Sequence, residues 1–420
     1  MITDILYRCP VCGDFDWLDN TRCSSCQARI DILSRSRISV NGHTDSLAAW
    51  YAKIRSFELP QRESGIILHS GTVRLSAESV KGPYRGFAGV TATLYGRREL
   101  ETGSLVLKHD ELFFSAASGD RHIPLTTITS VTIESNTVII IARKHGVLFF
   151  DFLQDSGKKW EDCIQKALAH THGPEQIIEY YPRILLKKSL RNRPAPAAGH
   201  RELRMRIHPW YPRDFSLFFA VLRRIAKPLI KTLFRVDVRG LEHIPDHGPA
   251  LVVPNHTSFL DSIVFGVLPT RYIWFMAKNS EYRNRFMTWF LRHGRSFPVR
   301  RYTTDVQAIR NALRIVQQGH VLGIFPEGER TWDGSLLPLR TGTIRLILAL
   351  GVPVIPVGIS GAYELMPRWT SSIKLSPVRI RIGPALKFEQ IPIPKQTFAD
   401  ISAASTELRR HLGSLLEEPQ

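Results

Sequence analysis

Short apolar runs separated by polar turns set the first expectation for this chain. Runs at residues 103–107, 112–114, 123–125, 128–133, 138–141 and 147–152 follow one another at regular spacing, which predicts short strands of an all-β module. Residues 157–170 then read as an amphipathic helix that closes the module, with Cys163 on its buried face. After residue 236 the pattern changes. Apolar runs at 251–254, 321–324 and 354–357 alternate with helical stretches. That alternation predicts a mixed or mostly parallel sheet with its site at the strand ends.

Between these regions, residues 191–199 are rich in proline and alanine, carry no core pattern and read as linker. Further on, Leu222, Ile225, Ala226, Leu229 and Leu233 share one helical face, while Arg223, Lys227, Lys231 and Arg235 recur every four residues on another. An interfacial helix has that pattern, and so does a helix that caps a catalytic sheet with a solvated basic face. Pro228 is expected to kink or interrupt either one.

Charge narrows the partners. The 420 residues carry a formal net charge of +18, which calls for an anionic surface or ligand. The basic residues alternate with apolar helical positions rather than with exposed aromatics, so a membrane surface with anionic lipids is expected and no nucleic acid is. No apolar run reaches the roughly 18 residues of a spanning helix. The first residues, Met1 to Asp4, lack the basic start and apolar stretch of a signal peptide. The expected location is the cytoplasmic face of a membrane, with peripheral or monotopic attachment.

The chemistry concentrates where the apolar run 251–254 ends. His256 and Asp261 stand with four residues between them on what reads as a strand-to-helix turn. A neutral imidazole can accept a hydroxyl proton, and a carboxylate can fix its tautomer. No serine or cysteine nucleophile stands beside them, so the nucleophile can be the substrate's own hydroxyl. Ser258 and Asp261 also fit a capping box, in which both side chains only satisfy helix-start N–H groups. Both readings stand on this stretch alone.

Three later segments join it: 294–301, which ends in Pro298, Val299, Arg300 and Arg301; 325–330, which reads Phe-Pro-Glu-Gly-Glu-Arg; and 354–357, which reads Val-Ile-Pro-Val. In this order the four segments resemble the motifs of the glycerolipid acyltransferases of the lysophosphatidic acid acyltransferase type, over about half the chain. The resemblance implies His256 as general base and Asp261 as its orienting partner. It implies a substrate-binding set of Arg300, Arg301, Glu327, Gly328, Arg330 and Pro356, with Arg301 on the acceptor phosphate and Pro356 beside the acyl chain. Arg340 and Gly342 resemble a weaker feature that follows. It further implies an acyl donor that is a thioester of coenzyme A or acyl carrier protein, a lysophospholipid acceptor, foremost 1-acylglycerol-3-phosphate, and a place in phospholipid biosynthesis. Glu329 departs from the small residue usual there. That departure keeps two alternatives open, a catalytically impaired lipid-binding protein and an enzyme for another lipid or glycerol-phosphate acceptor.

Cys9, Cys12, Cys23 and Cys26 form two C-x2-C knuckles that present four thiolates, which reads as a small ribbon with structural zinc. The strands that close on one helix resemble a pleckstrin-homology or GRAM-like domain. The expected layout is therefore multidomain: a zinc ribbon at 1–35, a β-rich PH-like module at 62–172, a linker at 173–203 and an α/β acyltransferase domain at 204–420. The N-terminal modules are expected to be dispensable for the chemistry.

Overall fold

The computed structural model describes residues 2–15, 18–19, 22–60, 65–172, 217–303 and 305–417. The expected linker at 173–203 lies outside the described residues.

A short hairpin of β1 (Leu18–Asp19) and β2 (Arg22–Cys23) carries the second cysteine knuckle. An antiparallel sheet of β3 (Ile30–Ile32), β4 (Arg37–Val40) and β5 (His43–Ser46) follows. Helix α1 (Leu47–Ser56) is capped by the Ser46 hydroxyl, which accepts from the Ala49 N–H. Leu47, Trp50, Tyr51 and Ile54 of this helix pack with Ile5, Leu6, Ile30 and Ile38. The N-terminal unit thus continues past residue 35. A ribbon alone buries too little apolar surface, and the sheet and helix supply the rest.

The β-rich unit contains β6 (Ile66–Arg85), β7 (Thr91–Lys108), β8 (Glu111–Ala116), β9 (Arg121–Pro124), β10 (Ile128–Glu134), β11 (Thr137–Ala142) and β12 (Gly146–Phe152). They form one antiparallel sheet in the order β10-β11-β12-β6-β7-β8-β9. Helix α2 (Gly157–His172) seals it with Trp160, Cys163, Ile164 and Ala167. The strands expected from apolar runs are all present. Two strands, at 20 and 18 residues, far exceed their apolar runs. Their distal halves form a two-stranded arm that reaches the C-terminal unit. Tyr84, Ala88 and Val90 at its end are buried in the same core as Trp274, Phe297, Ala312 and Ile315. The Tyr84 hydroxyl donates to the Ser296 carbonyl at 2.8 Å, and the two ends of the Asn279 amide bracket the Tyr95 backbone at 3.2 and 2.8 Å.

The C-terminal unit starts with α3 (Leu217–Leu233), which continues through Pro228 on its exposed side. Its contacts correct the expected division of faces. Arg223 and Lys227 donate to the Thr270 and Leu268 carbonyls at 2.9 and 2.6 Å, while Val221, Ile225, Leu229 and Leu233 face solvent. The unit's sheet is built from β13 (Asp237–Arg239), β14 (Ala250–Pro254), β15 (Ile273–Lys278), β16 (Ser296–Val299), β17 (Val321–Gly323), β18 (Val354–Ser360) and β19 (Arg379–Ile382), in the order β13-β19-β18-β14-β17-β15-β16. The strands β14 to β18 run parallel, and the antiparallel β18–β19 step reverses the last two. Among the described residues six further α-helices complete the unit: α4 (Asp261–Gly266), α5 (Arg285–His293), α6 (Val306–Gln317), α7 (Thr341–Leu350), α8 (Ala362–Leu365) and α9 (Phe398–Glu417). No helix among the described residues is long and apolar enough to cross a membrane.

Candidate active site

The fully buried β14 delivers the chain to a turn between strand and helix. Asn255 ties this turn to β18: its amide donates to the Ile359 carbonyl at 3.1 Å and accepts from the Ile359 N–H at 2.7 Å. His256 follows, stacked on Phe325 with ring centroids 3.9 Å apart. Its Nδ1 lies 2.9 Å from Asp261 Oδ2. The same oxygen accepts the Thr257 and Ser258 N–H groups at 2.7 and 2.8 Å. The capping and catalytic readings therefore coincide, because the carboxylate that caps the turn also fixes the imidazole. Nε2 makes no hydrogen bond among the described residues, and His256 lines the adjoining cavity. Burial pushes the His256 pKa down to about 4, against the pull of Asp261 and with the help of Arg301 and Arg330 nearby. The ring is thus neutral at physiological pH.

The loop after β17 frames the other side. Glu327 is not a cavity residue. Its two oxygens accept the His256 N–H at 2.7 Å and the Leu337 N–H at 2.9 Å, so it positions the backbone of His256. Burial raises this carboxyl to about 8 against those two donors. Gly328 has a φ of +72°, and a Cβ there would come within 2.8 Å of Arg340 Cγ, so only glycine fits. Glu329 explains its own departure from a small residue. It accepts from Arg340 and Arg368, each at 2.5 Å, and the two guanidiniums outweigh burial to hold it at about 2.

These groups enclose a cavity of about 500 Å³. Ile263, Met276, Met287, Phe290, Ile309 and Leu346 line an apolar part, and His256, Arg301 and Arg330 a charged part. The guanidiniums of Arg301 and Arg330 make no hydrogen bond or ion pair among the described residues; burial lowers both, Arg330 to about 10, against the pull of Glu134, Glu329 and Glu281 on Arg301 and of Glu281 and Asp261 on Arg330. Two enclosed guanidiniums with no carboxylate in direct contact suit an anionic ligand. Two more expected substrate residues are held by structural contacts. Arg300 lines the cavity, but its guanidinium pairs with Glu78 at 3.1 Å and lies 4.1 Å above the Tyr95 ring, both on the arm. Pro356 is buried in the central sheet beside Val253 and is not part of the cavity wall.

The cavity is not made by the C-terminal unit alone. Thr132, Ile133, Glu134 and Ser135 of the β10–β11 hairpin form part of its wall, contrary to the expectation that the N-terminal modules stand apart from the chemistry. Lys278 pairs with Glu134 at 3.0 Å, and Arg368 donates to the Ile133 carbonyl at 2.5 Å. Sequence reading missed Glu134, Lys278 and Arg368. They lie in no motif, and only docking of the units brings them together.

The sulfurs of Cys9, Cys12, Cys23 and Cys26 lie within 4.8 Å of one another. The Cys9–Cys26 and Cys12–Cys23 separations are both 3.7 Å. That is the edge of a tetrahedron whose ligands stand about 2.3 Å from its centre.

Residues 235–360 match the protein-family description Acyltransferase. The chain is 30% identical over 166 residues to the chloroplastic 1-acyl-sn-glycerol-3-phosphate acyltransferase of Brassica napus, with 39% of this chain and 47% of that protein covered. It is 26% identical over 188 residues to the 1-acyl-sn-glycerol-3-phosphate acyltransferase of Bacillus subtilis, with 44% and 90% covered. The chain spans about half the length of the plastid relatives it matches. The solved structure of the 1-acyl-sn-glycerophosphate (LPA) acyltransferase of Thermotoga maritima is 24% identical, covers 48% of this chain and 84% of its own, and has a TM-score of 0.38. Six of the seven strands, the His256–Asp261 turn and the guanidinium pair thus lie in the segment, residues 235–360, that matches the Acyltransferase description and is similar to 1-acyl-sn-glycerol-3-phosphate acyltransferases.

Proposed function

We propose that this protein moves a fatty acyl group from an acyl thioester to the hydroxyl of a lysophospholipid, as a step of phospholipid biosynthesis. The observation that carries the reading is the neutral His256, bonded through Nδ1 to Asp261 and facing a cavity that holds two unpaired guanidiniums. His256 Nε2 takes the hydroxyl proton while the oxygen attacks the thioester carbonyl, and Asp261 stabilises the imidazolium that forms. The tetrahedral intermediate collapses with loss of the thiolate of coenzyme A or acyl carrier protein, which recovers the proton from His256. Arg301 and Arg330 hold the acceptor phosphate, and the apolar part of the cavity takes acyl carbons. The acceptor for which the relatives are named, 1-acylglycerol-3-phosphate, is the first to test.

Attachment to the cytoplasmic face of a membrane rich in anionic lipids fits the net charge of +18 and the solvent-facing apolar stripe of α3. Seven antiparallel strands closed by a C-terminal helix support a PH- or GRAM-like assignment for residues 65–172. The tetrahedral spacing of the four sulfurs supports structural zinc on Cys9, Cys12, Cys23 and Cys26, which leaves no open coordination position.

The test is mass spectrometry of lipids after incubation of the purified protein with acyl-CoA or acyl carrier protein thioesters and a panel of lysophospholipids. The wild type should yield a doubly acylated product and His256→Ala none. A folded wild type that acylates no lysophospholipid with either donor would sink the reading.

A further inference from the structure

Glu134 is the one carboxylate that the β-rich unit sends into the cavity wall. It closes β10 at a tight turn whose Ser135 has a φ of 56°. The turn is fixed from several sides. Asn136 donates to the Phe152 and Asp155 carbonyls at 2.7 and 2.8 Å, its oxygen accepts from the Gly157 N–H at 2.6 Å, and Arg368 holds the Ile133 carbonyl. Among the described residues, one oxygen of the carboxylate makes its polar contacts. Oε2 lies 3.0 Å from Lys278 Nζ and 3.7 Å from Arg97 Nη2, and accepts from the Ser280 hydroxyl at 3.3 Å. Oε1 accepts no hydrogen bond among the described residues. Behind Glu134 lies a second cavity of about 340 Å³, and Glu134 and Val299 line both. Lys81 and Arg97 line the second cavity, together with Tyr95, Phe149 and Tyr302.

We propose that Glu134 selects the acceptor by its head group, so that the favoured acceptor is a lysophospholipid phosphodiester carrying a neutral polyol rather than a phosphomonoester. The inference rests on the acyl-transfer reading and narrows its acceptor. Three features point the same way. A carboxylate beside the guanidinium pair opposes the second negative charge of a monoester, and a like charge at close range shifts an equilibrium by about tenfold or more. Oε1 offers a hydrogen-bond acceptor to a hydroxyl just past the phosphate. The adjoining cavity has room for the head group, and Lys81 and Arg97 in its wall repel an ammonium.

The experiment compares three acceptors with the same acyl chain: 1-acylglycerol-3-phosphate, the glycerol phosphodiester and the choline phosphodiester. The wild type should show a kcat/KM for the glycerol diester about tenfold or more above each of the others. Glu134→Gln removes the charge and keeps an acceptor oxygen, so kcat/KM for the monoester should rise about tenfold relative to that for the glycerol diester. Glu134→Ala also removes the acceptor oxygen, so kcat/KM for the glycerol diester should fall, while the choline diester stays disfavoured by Lys81 and Arg97. A wild type that prefers the monoester overturns the proposal, and so does an unchanged ranking in both folded variants. If no acceptor turns over, the acyl-transfer reading fails by itself, and calorimetric binding of the same three lipids still decides the ranking.

Discussion

On the imidazole of His256 two opposing forces meet. Burial disfavours the charged ring more strongly than the Asp261 carboxylate favours it, and the result is a pKa pushed down to about 4. As the proposed base the ring must be unprotonated, so activity should be lost as the pH falls through that value, not through the usual histidine range. With a phosphodiester acceptor, which does not itself titrate there, log kcat/KM should stay level from pH 7 to about 5 and lose tenfold per unit below about 4. Asp261→Asn removes a group that raises the ring's pKa. The acid limb should therefore move to lower pH while the plateau drops, by up to the roughly 10²–10⁴-fold that a positioned base contributes. A limb centred near 6.5 in the wild type would mean that the base is wetted and unpaired from its neighbours. The neighbouring arginines show how contact divides identical residues. Arg300 is spent on Glu78 and Tyr95, whereas Arg301 keeps its donors for a ligand.

The helix Leu217–Leu233 shows what a repeating pattern does and does not disclose. Its helical period and apolar content are legible in the sequence, but which face is buried depends on what it meets. Arg223 and Lys227 turn inward to carbonyls of the loop before β15, and Val221, Ile225, Leu229 and Leu233 are left outward. Fully burying one such side chain is worth about 1.5–3 kcal/mol, so a membrane interface gains most from this stripe. Ile225→Asp combined with Leu229→Asp should lower sedimentation with anionic vesicles by at least about tenfold. Turnover of detergent-dispersed substrate should persist, because both side chains face solvent, 62% and 60% exposed. Vesicle binding equal to the parent's would remove α3 as the anchor. The short strands were readable for a different reason: each is a compact run of β-branched and aromatic residues. The arm of β6 and β7 was not, because outside its sheet it carries Lys81, Arg85, Arg97 and Arg98, and only its docking on α6 and β16 buries Tyr84 and Val90. In the same way the His256–Asp261 pair is local and could be read directly, whereas Glu134 meets Lys278 across 144 residues of chain.

Across the whole molecule the three units share their interiors. Trp332 and Tyr363 of the C-terminal unit are buried with Ile5, Trp50 and Tyr51 of the N-terminal one. Arg35 donates to the Glu364 and Leu365 carbonyls at 3.0 and 2.7 Å. Between the N-terminal and β-rich units, Asp162 on α2 accepts from both the Tyr7 and the Tyr51 hydroxyl, at 2.9 and 2.7 Å, and pairs with Lys158 at 3.0 Å. Removing residues 1–200 would therefore do more than delete accessory modules. It would strip Tyr84, Ala88 and Val90 from the catalytic core and open one wall of the cavity. It would also leave Lys278 and Arg300 without Glu134 and Glu78. Breaking a buried pair by deleting one partner costs about 3–5 kcal/mol, a large share of a domain's stability. The fragment 201–420 should accordingly express poorly or melt well below the full chain, and it should lack turnover even on detergent-dispersed substrate. Cys12→Ser in the full chain supplies the contrast: it breaks the four-sulfur cluster but leaves the arm and the Glu134 turn docked. It should lose metal by elemental analysis and still transfer acyl groups. A fragment that melts cooperatively and works at the full-chain rate in detergent would show that the cavity is complete without the β-rich wall.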